Sequence, residues 1–596
     1  MTTGETQVSA ASQKMQENLA RIEQLSQRLV EALGRRRMPN PSLEGPGVDL
    51  YMSTTAAVMK ELSDKPAQIL EAQVKYWGDA MSHYIQATHA LATQGFRPPE
   101  DTGPEDKRFS NPLWATHPYF NFVKQQYMIA SRAIDEATDA LPGLAEKDRK
   151  RLKYFTKQLV DMMAPTNFFA TNPDALERAI ETEGESLVQG LENLVRDVEQ
   201  NQGDLLVTLA DRTAFEVGRN LATTEGKVVY RCRMFELIQY TPKTEKVYRT
   251  PLLIFPPWIN KFYILDMKEQ NSFIRFAVEQ GFTVFVVSWK NPDASYADVG
   301  FETYIESYLD AIEQVKSETG VAKINAIGYC IAGTTLSLTL ALMKKRRDHS
   351  INCATFFTTL TDFSDQGEFV SFLQDDFVDG LEVQCRVDGV LSSYFMSRTF
   401  SFLRSNDLIW RPAIRSYMMG EAPPAFDLLY WNGDATNLPG KMAMEYLRGL
   451  CQQNLFAEDC FTLMGEELKL SDVTVPLMAI ACETDHIAPW KASFKGISQM
   501  GSKDKEFIMA QSGHIAGIVN PPSKQKYGHY TSSAPIEDAD EWLAAAEFHE
   551  GTWWPRWAEW LAAQSGREVA ARIPGEGGHQ ILGEAPGSYV RETIVL

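Results

Sequence analysis

The sequence is poor in the features that mark secreted or zinc-binding proteins. Only 7 cysteines occur in 596 residues, their number is odd, and no CxxC pair is present. This scatter predicts a reduced, cytosolic protein, and the absence of Cys/His pairs at ligand spacing disfavours a metal site. The first residues, MTTGETQVSA, contain no basic segment followed by an apolar run, so we expect no secretory signal.

Long apolar runs and an excess of positive charge are also missing. The sequence has no stretch of about 18 apolar residues, so we expect no transmembrane segment. Acidic residues outnumber basic ones by 78 to 58, and the formal net charge of -20 disfavours nucleic acid as a partner. An anionic substrate would therefore need a local basic site. The length exceeds that of one compact core and predicts two domains.

The first third of the chain has helical patterning. Apolar residues at intervals of three and four predict an amphipathic helix over 12–33, which favours a docking or dimer helix over a membrane-surface helix. Helical patterns continue over 50–95 and 115–220, and no convincing strand precedes residue 228. We therefore predict an α-rich N-terminal domain over residues 1–225.

The pattern changes after residue 225. Short apolar runs alternate with helical segments, which predicts a mostly parallel sheet covered on both faces. An aromatic, irregular stretch at about 365–445 interrupts the alternation and predicts an inserted cap. The second domain is thus predicted to span 226–596.

One cysteine lies in a context that favours chemistry. The segment GYCIAG over 328–333 follows a short strand and opens a helix, which is the nucleophile-elbow arrangement of an α/β-hydrolase fold. Gly328 allows strand and helix to approach closely, whereas Ala332 stands where glycine is usual. The helix start favours a thiolate at Cys330, and the Ile331 amide can donate to an oxyanion. The alternative, a buried structural thiol, fits this context less well.

The same fold places its acid and base after later strands. Asp485 follows the predicted strand 475–481, and His514 follows the predicted strand 506–510. We therefore predict Cys330, Asp485 and His514 as the catalytic residues. Glu483 and His486 are alternatives for the acid and the base, although His486 is adjacent to Asp485 and could hardly be oriented by it.

A second oxyanion donor is expected after an early strand. The strand over 252–255 ends in Pro-Pro-Trp-Ile, and prolines have no amide to give. Trp258 or Ile259 is therefore the expected donor, and we assign Ile259.

Seven segments together resemble the class I polyhydroxyalkanoate synthases. They are GYCIAGTTLS, PPWINKFYILD, VVSWKNPD, NDLIWR, LLYWNGDATNLPG, ETDHIAPW and SGHIAGIVNPP. Class II enzymes carry Ser where this chain has Ile331, and classes III and IV lack most of the N-terminal region. The resemblance implies an acyltransferase that polymerises (R)-3-hydroxyacyl-CoA, such as 3-hydroxybutyryl-CoA, with release of CoA through an acyl-cysteine at Cys330. It also places the family's Asp and His on Asp485 and His514.

Further expectations follow from the resemblance. The family acts as homodimers on the surface of cytoplasmic polymer granules, without a cofactor or metal, and phasin-type granule proteins are possible partners beside the growing polyester chain. Lys261, Arg398 and Arg404, near the predicted mouth of the site or in the cap, are candidate contacts for the CoA phosphates, although ordinary surface charges are the favoured interpretation. Trp431 is a candidate substrate contact, with packing in the cap or pocket as the favoured interpretation. The competing functions are a thioesterase or polyester depolymerase with the same catalytic residues, and a non-catalytic granule-coating protein.

Overall fold

The computed structural model describes residues 2–35, 52, 54–57, 59, 74–85, 106–141, 143–201 and 203–592. Parts of the predicted helical segment 50–95, and most of the linker after it, lie outside the described residues. The chain divides into two compact units, one reaching to Asp211 and including Phe400–Pro424, the other formed by Arg212–Thr399 and the chain from Ala425 onward.

The α-helices follow one another along both units. Their bounds are α1 Thr2–Leu33, α2 Leu113–Thr116, α3 Pro118–Ala140, α4 Glu146–Met162, α5 Pro173–Glu181, α6 Glu185–Gln200, α7 Phe273–Glu279, α8 Phe301–Thr319, α9 Ile331–Lys345, α10 Asp375–Asp388, α11 Ser393–Leu403, α12 Arg411–Ala413, α13 Asp427–Asn432, α14 Gly440–Glu445, α15 Trp490–Gln499, α16 Ala539–Ala544 and α17 Trp554–Gln564. Residues 74–85 are also helical.

The first unit is helical, as its sequence pattern predicts. Helix α1 covers the predicted amphipathic segment and packs on α6, where Leu25 is buried with Val188 and Val195. Arg21 on α1 forms ion pairs of 2.7 Å with two glutamates of α6. This packing agrees with the interpretation of the segment as a docking helix.

The predicted limits of the domains need two corrections. Phe215 and Leu221 are buried in the core of the second unit, so the boundary lies at residue 211 and not at 225. The middle of the predicted cap, 400–424, belongs to the helical unit. Asn193 on α6 holds it by donating hydrogen bonds of 3.0 and 3.1 Å to the carbonyls of Ser416 and Glu421.

The second unit is built on a mixed main sheet, and it also contains short strands that pair outside this sheet. Its described strands are β1 Gly226–Arg231, β2 Phe235–Tyr240, β3 Lys246–Tyr248, β4 Leu252–Phe255, β5 Val284–Trp289, β6 Ile324–Tyr329, β7 Ile351–Phe357, β8 Val390–Leu391, β9 Leu438–Pro439, β10 Phe461–Leu463, β11 Glu466–Leu468, β12 Leu477–Cys482, β13 Lys505–Ala510, β14 His529–Thr531, β15 Glu547–His549, β16 Glu568–Ala570 and β17 Gly583–Glu584. The main sheet has the order β15-β14-β13-β12-β7-β6-β4-β5-β2-β1-β17.

The six central strands, from β5 to β13, are parallel, and antiparallel strands extend the sheet at both edges. Strands β4, β5, β6 and β12 are buried along their whole length, which explains their mostly apolar sequences. The α/β-hydrolase fold expected from the sequence is thus confirmed, and the carboxyl ends of β4, β6, β12 and β13 lie along one edge of the sheet.

Two buried carboxylates hold the C-terminal segment against this unit. Glu236 on β2 accepts hydrogen bonds of 2.8 and 3.0 Å from the amides of Ser588 and Tyr589. Glu318 on α8 accepts three further amide hydrogen bonds, from Gly575, Gly577 and His579. Both side chains exchange hydration for fixed backbone donors, so their burial is compensated.

A tryptophan cluster packs against the sheet and contacts the loop that follows β13. Trp553 and Trp554 are fully buried, and both rings lie within 5.9 Å of the Phe273 ring, centroid to centroid. Their indole N–H groups donate to the carbonyls of Gly517 and Ile518, at 2.8 and 2.9 Å. These hydrogen bonds fix the loop that follows β13.

We expect Trp553→Phe to lower the free energy of unfolding by roughly 1–3 kcal/mol, because the buried carbonyl of Gly517 loses its donor. Equilibrium denaturation measures the change. Trp560→Phe, on the helix that begins just after Trp553, is the matched control, because it leaves the hydrogen bonds to Gly517 and Ile518 intact. Equal loss of stability in the two variants would contradict the role given to the indole donor.

Candidate active site

Cys330 lies on a strained turn between β6 and α9. Its backbone has φ 55° and ψ -124°, a conformation that non-glycine residues rarely adopt. The turn is held because the Cys330 amide donates to the carbonyl of Phe357 at 2.7 Å, while the Cys330 carbonyl accepts from the Gly333 amide at 2.9 Å. The half-buried side chain is thereby presented at the carboxyl edge of the sheet.

Two glycines make this turn sterically possible. A β-carbon at position 328 would lie 2.5 Å from the Cα of Gly333, and one at position 333 would lie 2.0 Å from Oγ1 of Thr359. The helix therefore comes closest to β6 at Gly333, and not at position 332, where glycine is usual. Ala332 is fully buried, and its carbonyl accepts a hydrogen bond of 3.0 Å from Tyr308, so its methyl group is compatible with the elbow.

The structure brings Asp485 and His514 together. His514 Nδ1 lies 2.7 Å from Oδ2 of Asp485, and both side chains are buried. The other oxygen of Asp485 accepts hydrogen bonds of 2.8 and 2.9 Å from the amides of Ile487 and Ala488. The carboxylate is thus fixed and in turn fixes the imidazole. Glu483, the alternative acid, is exposed.

The imidazole also contacts Cys330. Burial alone would lower the pKa of His514, but the carboxylate of Asp485 and the side chain of Cys330 together raise it well above the ordinary value of 6.5. The geometry therefore stabilises a positively charged imidazole between a carboxylate and a sulfur atom. A cysteine and histidine paired in this way have the arrangement that nucleophilic catalysis requires. The catalytic roles of the three residues stay predictions.

Two tyrosines near these residues were missed by the sequence analysis. The Tyr329 ring is stacked on His514 with centroids 5.9 Å apart, and its hydroxyl donates to the His514 carbonyl at 3.2 Å. Tyr446 packs edge-on against Trp258 at 5.8 Å, and burial raises the pKa of its phenol, with Cys451 and Cys330 adding to the effect. Tyr329 could have been found from its place in the elbow, whereas Tyr446 lies far from any motif used.

The two predicted oxyanion donors lie on neighbouring strand ends. Ile331 is the first residue of α9, where a backbone amide has no acceptor within the helix. Ile259 lies in the turn after β4, and β4 is paired with β6 so that Phe255 lies opposite Gly328. Their role as donors stays a prediction.

The predicted substrate contacts are engaged within the fold. The buried Lys261 ammonium lies 2.7 Å from a carboxylate oxygen of Asp434 and donates to the Glu592 carbonyl at 2.8 Å. Trp431 is buried and donates its indole N–H to the Lys261 carbonyl at 2.8 Å. The charge of Lys261 is thus neutralised internally. A role for either residue in substrate binding stays a prediction.

The two arginines lie close together in the sequence but are assigned to different units. Arg398 is on α11, and Arg404 follows this helix in the part of the chain that belongs to the helical unit. Arg404 forms an exposed ion pair with Asp407. Contacts of these arginines with CoA phosphates stay predictions.

In the part of the chain that the structure describes, no helix is both long and apolar enough to cross a membrane. Within the same residues, no group of three or more His, Cys, Asp or Glu side chains is arranged to hold a metal ion.

The elbow, the histidine–carboxylate pair and the parallel sheet define a protein of the α/β-hydrolase fold. Comparison agrees: residues 251–521 match the family described as alpha/beta hydrolase fold, and residues 105–277 match the family described as poly-beta-hydroxybutyrate polymerase (PhaC) N-terminus. The second match spans the end of the helical unit and the first strands of the sheet.

Similar proteins extend the match over nearly the whole chain. The poly(3-hydroxyalkanoate) polymerase subunit PhaC of Rhizobium etli is 38% identical over 91% of this chain and 86% of its own length. The poly(3-hydroxyalkanoate) polymerase of Methylorubrum extorquens is 38% identical over 93% and 92%, respectively. The PhaC subunit of Cupriavidus necator is 41% identical over 88% and 89%. The chain belongs to the poly(3-hydroxyalkanoate) polymerase family, which confirms the family that the motifs indicated and identifies it as an enzyme.

We expect Gly328→Ala to destabilise the protein by roughly 1–3 kcal/mol, because the added methyl group collides with Gly333. The same collision should displace Cys330 and slow its alkylation by iodoacetamide. Equilibrium denaturation and mass spectrometry of the Cys330 peptide measure the two effects. Ala332→Gly, a change at the usual glycine position, is the control and should keep the reactivity of Cys330. Normal alkylation in Gly328→Ala would show that the elbow tolerates the added atom.

We expect Asp485→Asn to lower the pKa of His514, because it removes the carboxylate that raises this pKa. NMR titration of protein with isotope-labelled histidine measures the change, with His514→Gln identifying the signal. In the wild type, the raised pKa adds folding stability that is fully present below about pH 6.5 and is lost as the pH rises through the folded-state pKa. Asp485→Asn should flatten this dependence, and an unaltered His514 titration would refute the assignment.

Proposed function

We propose that this chain polymerises (R)-3-hydroxyacyl-CoA thioesters into polyhydroxyalkanoate, with Cys330 carrying the acyl group. The observation that carries the proposal is the contact between the elbow cysteine and a buried histidine that Asp485 orients at 2.7 Å. Membership of a family whose relatives are named poly(3-hydroxyalkanoate) polymerases supplies the substrate class. Short-chain substrates such as 3-hydroxybutyryl-CoA are the expected monomers.

In the proposed loading step, His514 accepts the proton of the Cys330 thiol, and the sulfur attacks the thioester carbonyl carbon. A tetrahedral intermediate forms, and its oxyanion accepts hydrogen bonds from the Ile331 and Ile259 amides. The bond from this carbon to the CoA sulfur then breaks, and His514 returns the proton to the leaving thiolate. One thioester replaces another, so the acyl group stays activated at little thermodynamic cost.

In the proposed elongation step, the 3-hydroxyl oxygen of another acyl unit attacks the acyl-cysteine carbonyl. An oxoester bond forms, the carbon–sulfur bond to Cys330 breaks, and the hydroxyl proton passes to His514 and then to the released sulfur. The contacts of Asp485 favour His514 as the base, because both oxygens of this carboxylate already accept hydrogen bonds. Asp485 then holds the imidazole tautomer and stabilises its positive charge.

Polymerisation also requires that water be kept from the acyl-cysteine, since hydrolysis would make the enzyme a thioesterase. The burial of His514 and Asp485, at 8% and 7% exposed, and the aromatic packing of Trp258 and Tyr446 favour such exclusion. CoA enters with the substrate and leaves, so no further cofactor or metal is part of the proposal. We also propose a homodimer at the surface of cytoplasmic polymer granules, with phasin-type proteins as candidate neighbours.

We expect Cys330→Ala to reduce CoA release from 3-hydroxybutyryl-CoA by at least roughly 10³-fold, because the acyl acceptor is lost. Free CoA with insoluble polymer, formed by the wild type, supports the proposal, whereas CoA with only free 3-hydroxybutyrate would make the protein a thioesterase. Cys460→Ala is the matched control, since Cys460 is exposed and outside the site. Labelled acyl groups trapped on a cysteine other than Cys330 would overturn the assignment of the nucleophile.

A further inference from the structure

The turn after β4 is held by a segment that the mechanism does not use. This segment, 431–437, is called the clamp segment here and contains the sequence WNGDATN. Its Ala435 forms an isolated antiparallel bridge with Asn260, and its Asp434 binds the Lys261 ammonium at 2.7 Å. Lys261 and Trp431, which the sequence suggested for substrate binding, therefore connect the turn after β4 with the clamp segment.

Thr436 makes the contacts closest to the predicted oxyanion donor. Its hydroxyl donates to the Trp258 carbonyl at 3.1 Å, and its amide donates to the Ile259 carbonyl at 3.4 Å. The Thr436 side chain is 2% exposed, so water has little access to replace the hydroxyl. The carbonyls of Trp258 and Ile259 are thus both fixed by one residue.

The peptide plane transmits this constraint to the Ile259 amide. The bond between Trp258 and Ile259 is trans, and the carbonyl and N–H of a trans peptide lie in one plane and point in opposite directions. A hydrogen bond that fixes the Trp258 carbonyl toward Thr436 therefore fixes the Ile259 N–H on the side away from the clamp segment.

The same turn is tied to the elbow helix. The Trp258 indole donates to Oγ1 of Thr335 at 3.1 Å, and the Thr335 hydroxyl donates to the Ile331 carbonyl at 3.0 Å. The clamp segment is anchored in turn, since the side chain of Asn437 donates to the Pro292 carbonyl at 3.1 Å, just after β5. One connected set of hydrogen bonds thus links the two residues, Ile259 and Ile331, whose amides are the predicted oxyanion donors.

From these contacts we infer that Thr436 is a positioning residue, whose hydroxyl aims the Ile259 amide at the oxyanion formed on Cys330. The inference rests on the proposed function. It gives the clamp segment a role in the acyl-transfer step and not in binding CoA. A donor held before the reaction begins contributes more to catalysis than one that must reorient.

The test compares Thr436→Val, which keeps the size of the side chain but removes the hydroxyl, with Thr436→Ser, which keeps the hydroxyl. We expect Thr436→Val to lower kcat for CoA release roughly tenfold or more with KM nearly unchanged, because the loss falls on the transition state. Thr436→Ser should restore most of kcat. Thermal unfolding checks that each variant is folded. If Thr436→Val does not fold, Thr436→Ala serves as a second variant without the hydroxyl.

Alkylation of Cys330 by iodoacetamide separates positioning from general damage. This displacement at a saturated carbon forms no oxyanion, so its rate should be the same in wild type and Thr436→Val. An unchanged kcat in the hydroxyl-free variants, or an equal loss in alkylation and acyl transfer, would overturn the inference. If the wild type itself releases no CoA while Cys330 is alkylated normally, the proposed function fails, and the inference falls with it.

Discussion

Strand β6 and helix α9 meet at Gly328 and Gly333, where the two backbones leave no room for a β-carbon between them. This close approach forces Cys330 into a positive φ, and its side chain is half-buried at the carboxyl edge of the sheet. It also makes Ile331 the first residue of the helix, so its amide lies next to the sulfur-bearing residue. The positions of Cys330, the predicted nucleophile, and of the Ile331 amide, a predicted oxyanion donor, therefore depend on the same steric constraint.

The rest of the site is assembled by the parallel sheet. Strands β12 and β13 end at the same edge as β6, and their loops deliver Asp485 and His514 to within hydrogen-bonding distance of each other. The loops are held from outside the site, by two backbone amides on Asp485 and by buried tryptophans behind His514. The carboxylate of Asp485 and the imidazole of His514 are thus held in place before a substrate binds. Groups held in this way can stabilise charge without reorganising.

Buried ionic groups connect distant parts of the second unit. Glu236 and Glu318 bind backbone amides of the C-terminal segment, and Lys261 joins Asp434 to the carbonyl of Glu592. A buried charge must be compensated by a partner or by fixed dipoles. Lys261, whose charge is paired with Asp434, consequently connects separate backbone segments. Its sequence position near the site had suggested a phosphate ligand instead.

Features that depend on neighbours along the chain, or on the regular geometry of a parallel sheet, can be predicted from the sequence alone. Strand, glycine and helix around Cys330 predict the elbow, and the order of later strands predicts where Asp485 and His514 lie, because parallel strands end at a common edge. By contrast, the fold was needed to show which unit holds 400–424, and that Lys261 contacts Asp434 while Thr436 contacts Trp258. Charge and polarity require that a buried group have a partner, but many partners satisfy that requirement, and the packing of distant segments selects one.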